Sequence, residues 1–161
     1  MFRLLMRIVS ISLVCVPLCV SADPKCCVPI KLDVAPQWTS KGLELAIKLT
    51  NTGEKPLRFS KGAGPWVGAE QIRLVAIKLP WGDPIVNERQ ALRDPPLGFM
   101  ELAPGKAEQH SVLIEHIYPE LATELRQGKA DIVLFWTYQL TTADSTQSER
   151  VGGWLSVPAK K

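Results

Sequence analysis

The stretch Ala130-Asp-Ile-Val-Leu-Phe-Trp-Thr-Tyr-Gln-Leu140 constrains this chain more than any other. Ile132, Leu134, Trp136, Tyr138 and Leu140 fall on one face at period two, and Asp131, Val133, Phe135, Thr137 and Gln139 fall on the other. Successive side chains of a strand point to opposite faces, so an alternation this long turns one complete apolar face towards a core. Its β-branched and aromatic residues suit a pleated, half-buried surface. The stretch predicts a central strand of an antiparallel sheet, and it sets the class as all-β.

Shorter runs on either side fit that class. Leu43, Leu45, Ile47 and Leu49 alternate inward and lead into Asn51-Thr-Gly-Glu-Lys-Pro56, a turn in which Gly offers positive φ and Pro a fixed one. Val28 to Val34 alternates weakly and suits an edge strand that can carry Pro29. Extended segments are expected at Leu57–Ser60, Gln71–Leu79, Glu108–Ile117 and Arg150–Val157, with Gly152-Gly153 suggesting a bulge in the last, and Phe99 to Leu102 leads into the turn Ala103-Pro-Gly-Lys106. Ile85 to Pro96 reads as a loop with room for a short strand. Pro119 to Arg126 carries Leu121 and Leu125 at i, i+4 behind a proline, which predicts one short helix ended by Gly128. That gives seven or eight short strands and one core, an immunoglobulin-like antiparallel β-sandwich, with a closed barrel as the alternative. Within this strand Trp136, and in the last strand Trp154, are expected in the core.

The N-terminus predicts export. Arg3 and Arg7 precede an almost wholly apolar run from Ile8 to Val20, followed by Val20-Ser21-Ala22 with small residues at the positions a signal peptidase reads. The uninterrupted apolar part is about a dozen residues, short of the roughly 20 a membrane span needs. Residues 1–22 are therefore read as a signal peptide, 23–29 as a flexible tail and 30–161 as a single domain, periplasmic or extracellular after cleavage. Lipidation is the rival reading, but Cys15 follows Val14 and Cys19 follows Leu18, which are poor sites. The net charge of +3 includes Arg3 and Arg7, so the mature chain is close to neutral. A neutral domain lacks the electrostatic footprint of a nucleic-acid binder, and no later run is long enough to span a membrane.

A resemblance rests on three turn motifs. Leu45-Ala-Ile-Lys-Leu-Thr-Asn-Thr-Gly-Glu-Lys-Pro-Leu57, then Leu102-Ala-Pro-Gly105, then Gly128 leading into the aromatic strand follow an order that resembles secreted bacterial immunoglobulin-like domains. The chain is similar in this to the domains called intracellular proteinase inhibitor-like. The resemblance implies a sandwich and assigns no active-site residue. Two departures are Ala130-Asp-Ile in place of an aromatic just after Gly128, and no Cys pair set to link the sheets.

Chemistry is sparse. There is no nucleophile elbow, phosphate loop or metalloprotease helix, so neither enzymatic activity nor a cofactor is implied. Cys26 and Cys27 remain after cleavage as an adjacent pair, open to a vicinal disulfide, an intermolecular bond, or a soft metal or redox site. His110 and His116 would lie roughly 20 Å apart on one strand, at about 3.3 Å per residue, and only a bend would let them share a metal with Cys26 and Cys27. Trp66 and Trp81 stand in Gly/Pro loops, where aromatics either bind a partner or fold back over the core. The expected function is an exported, non-enzymatic binding or accessory domain that recognises another protein through loops or a strand edge. The alternatives are a protease-inhibitor-like module presenting Lys61–Gly68 or Gly82–Pro95, and a metal or redox role through Cys26 and Cys27.

Overall fold

The computed structural model describes residues 27–67, 71–80, 82, 84–85, 96–127 and 131–158. The expected leader, Cys26 and Trp81 lie outside them. In chain order the strands are β1 (Cys27–Val28), β2 (Ile30–Thr39), β3 (Gly42–Asn51), β4 (Leu57–Ser60), β5 (Ile72–Lys78), β6 (Pro84–Ile85), β7 (Phe99–Leu102), β8 (Ala107–Leu113), β9 (Ile132–Tyr138), β10 (Gln147–Ser148) and β11 (Val151–Val157). Helices α1 (Ile114–Ile117) and α2 (Pro119–Arg126) separate β8 from β9. The fold is all-β, and every pairing is antiparallel except the short one of β1 with β10.

Two larger sheets supply the core. One runs β11-β9-β5-β6, the other β2-β3-β8, and the two-stranded sheets β4-β7 and β1-β10 complete the sandwich-like arrangement. Period two decides what each buries. Leu43, Leu45, Ile47 and Leu49 of β3 join Ile132, Leu134, Trp136 and Tyr138 of β9 in one buried cluster, with Leu140 just beyond. β9 is central in its sheet, paired with β5 on one side and β11 on the other. Both parity assignments read from the sequence are thus the ones the fold uses.

The two turn motifs meet in space. Asn51 is fully buried, and its side-chain amide donates to the carbonyls of Lys55 at 2.8 Å and Leu102 at 2.9 Å. Its own oxygen accepts from the Gly53 N–H at 2.9 Å, while its backbone exchanges bonds with Lys106 and Gly105. One buried side chain therefore ties the exposed 52–56 turn to the Leu102 carbonyl and satisfies backbone groups of both.

Three expectations change. The segment Glu108–Ile117 is not one strand: β8 stops at Leu113 and Ile114–Ile117 coils into a helical turn, which buries Ile114 and Ile117 together. Gly152 and Gly153 form no bulge, because β11 matches β9 one to one from Val151↔Tyr138 to Val157↔Ile132. Gly153 instead makes room for an indole, since a Cβ there would meet the Trp136 ring at 3.0 Å. Trp154 is not in the core. The inward positions of β11 are Val151, Gly153, Leu155 and Val157, so Trp154 has the opposite parity and faces solvent.

Candidate functional site

The outer face of the four-stranded sheet carries an exposed row of two aromatic residues and a valine. Register aligns Val75 of β5, Phe135 of β9 and Trp154 of β11 side by side across three strands. They are 43%, 42% and 67% exposed. Every neighbour in sequence, such as Leu74, Leu134 and Trp136, points inward and anchors the row from below. The face is consequently a rigid surface, fixed by the same alternation that builds the core.

What flanks the row sets its chemistry. The rung on one side is Arg73, Thr137 and Gly152, and the rung on the other is Ile77, Val133 and Ser156. None of these outward positions carries an acid, and Arg73 is exposed at the rim. Arg150 adds a second cation near this end, with a nitrogen 3.5 Å from the Gln139 side-chain oxygen. The exposures of Val75, Phe135 and Trp154 amount to on the order of 300 Å² of apolar surface, the lower end of the size at which patches on monomers are often functional.

Trp66 lies elsewhere. It follows a 3₁₀ turn at Lys61–Ala63 and folds back half-buried against the core, over Gly64. Its indole stacks on the His110 ring with centroids 4.2 Å apart and planes 29° off parallel. The Glu108 carboxylate sits 3.0 Å from His110 Nε2. The turn itself is pinned by Tyr138, whose hydroxyl donates to the Ala63 carbonyl at 2.9 Å; burial pushes that phenol far above its ordinary pKa. Tyr118 does the same for the helical side, donating to the Leu74 carbonyl at 2.7 Å, and burial lifts it to about 12. Both phenols act as neutral donors that hold elements together.

The remaining expected residues do not converge. His116 is exposed on α1, while His110 stays on β8. Among the described residues no group of three or more His, Cys, Asp or Glu side chains is placed to hold a metal. Glu115, next to His116, pairs with the Arg126 guanidinium and lies over Gly42, whose φ of +136° admits no side chain without strain. Cys27 is exposed and lines an open cleft of about 1020 Å³ formed with Pro29, the 52–58 turn and the 142–146 turn. Asp144 in that cleft is held below the usual carboxylate range by hydrogen bonds from Thr142 and Thr146. Those bonds close its own turn, so they account for the shift without a ligand.

Sequence reasoning missed the apolar row because it weighed loop tryptophans and assigned Trp154 inward. The signal was present: aligning the parity of β11 on that of β9 puts Trp154 beside Phe135 rather than Trp136.

No family model matches this chain, and the search of curated proteins matches none. A solved structure described as the X-ray structure of Northeast Structural Genomics Consortium target SoR45 is similar at 11% identity with a TM-score of 0.36, over 81% of this chain and 83% of its own. That likeness carries no argument about what the chain does.

Proposed function

We propose that this domain is an exported, non-enzymatic module that binds another protein on the outer face of β5, β9 and β11. The observation that carries the reading is the exposed Val75–Phe135–Trp154 row on a rigid sheet. Tryptophan in a rigid, partly desolvated setting is the residue type that most often dominates binding energy. Ile77 and Val133 beside the row extend its apolar surface and favour an apolar protein segment. Arg73 at the rim favours a partner with a carboxylate next to its apolar residues. Export rests on the leader pattern of residues 1–22, and the immunoglobulin-like kinship suggested by the turn motifs is consistent with an accessory role.

Site-specific photocrosslinking tests this. A photoreactive side chain at position 135 should capture one exported protein of the host, and Trp154→Ala should abolish the capture. The same group at Lys48, exposed on β3 of the other sheet, should capture none. Equal capture from positions 135 and 48 would exclude the face as a binding site.

A further inference from the structure

The apolar row has a length as well as a chemistry. β11 is not open to an added strand, because β2 lies against it where the parallel β1–β10 pairing leads the two alongside each other. A partner at Trp154 therefore meets the face of the sheet and not its border. Neighbouring strands stand about 4.8 Å apart, so Val75, Phe135 and Trp154 cover roughly 10 Å at right angles to the strands. The next rung holds Pro84, Ile77 and Val133, which widens the apolar strip by the about 7 Å between same-face residues of one strand.

We infer that the row takes an amphipathic α-helix of the partner, laid across β5, β9 and β11, with an acidic side chain on the border that faces Arg73. This rests on the binding face proposed above and gives the form of its occupant. Helical residues at i, i+3 or i+4, and i+7 advance about 5 Å per contact and about 10.5 Å in all, at a rise of about 1.5 Å per residue. Those steps match the strand spacing, with one apolar side chain to each of the three strands. An extended segment sets its same-face residues about 7 Å apart, so three of them would span roughly 13 Å and fall out of step with the row. Charge fixes the border. Arg73 is exposed, two residues from Val75 on the same face, and pairs with no acid among the described residues. Lys31 and Asp33 of β2 pair with each other at 2.8 Å. Ile77 and Val133 border the row on its other side and carry no charge. An acidic border of the helix is thus drawn to Arg73.

Selection on the full chain from a displayed library of random peptides of about 16 residues, long enough for four helical turns, reads the spacing directly. Binders that Phe135→Lys fails to hold should be enriched in apolar residues at i, i+4 and i+7, with Asp or Glu beside that stripe. A synthetic copy of the commonest binder should bind the native chain at least about tenfold more tightly than it binds the Arg73→Glu chain. Replacing its bordering acid by Lys should restore binding to Arg73→Glu, which a merely structural role of Arg73 would not do. Lys48→Glu, on the other sheet, should change nothing. Trp154→Lys repeats the face test if Phe135→Lys folds poorly. Enrichment of apolar residues at i, i+2 and i+4 would overturn the inference, as would an acid preference that survives Arg73→Glu. Selection of no peptide that depends on Phe135 or Trp154 would also overturn it. A host protein captured from position 135 through an extended segment would sink the helix and leave the proposed function standing. Failure of both the capture and the selection would sink the two together.

Discussion

Asn51 concentrates more of this fold in one side chain than any other residue. It closes the 51–56 turn, reaches across to Leu102, and is sealed from water while doing so. Asn51→Ala strands the buried Leu102 carbonyl and frees a half-buried carbonyl and N–H of the turn, and at about 1–3 kcal/mol for a buried unsatisfied group the variant should lose roughly 1–3 kcal/mol in chemical denaturation. Asn51→Asp should be at least as damaging, because a carboxylate cannot donate to either carbonyl. Tyr118 makes a second prediction at this scale. Its hydroxyl is neutral when it donates to Leu74, and its folded pKa lies above the ordinary 10.0, at about 12. A raised folded value means the unfolded chain loses its proton first, so the stabilisation is complete below pH 10 and is lost as pH climbs from there through about 12. Tyr118→Phe should shallow the alkaline fall in melting temperature while lowering stability at neutral pH by about 1 kcal/mol.

Strands, rather than residues, explain the tryptophans. Trp136 and Trp154 sit on adjacent strands of one sheet but on opposite faces. Trp136→Ala should therefore cost about 3–5 kcal/mol, whereas Trp154→Ala should change unfolding free energy by no more than about 0.5 kcal/mol. Equal losses would mean that β11 is slipped by one residue, which would turn its whole set of side chains over. This contrast also marks what could be read from the chain. The alternations of 43–49 and 132–140 were legible because each strand supplies its own complete pattern. Residues 119–126 were legible as a helix because Pro119 and the Leu121–Leu125 spacing mark it locally. Trp154 was not, since its face depends on register with β9 and on a glycine pair that serves Trp136 instead of bending the strand. The end of β8 was hidden for a related reason. Val112, Ile114 and Ile117 fit a strand and a helical turn almost equally well, and the packing of α1 beside α2 decides between them.

At the scale of the molecule, the apolar row ends at Trp154 on β11, and β2 lies against that strand where the two larger sheets approach each other. A protein that keeps an exposed tryptophan risks association with other apolar surfaces. Here Val75, Phe135 and Trp154 share one sheet face, whose backbone is held by β5 and β11 on either side of β9, while Leu97 and Phe99 are exposed away from it.

The parallel pairing of β1 with β10 leads β2 along β11, so the N-terminal strand stitches one larger sheet to the other. Peeling that strand away would uncover a border of both sheets in a single step.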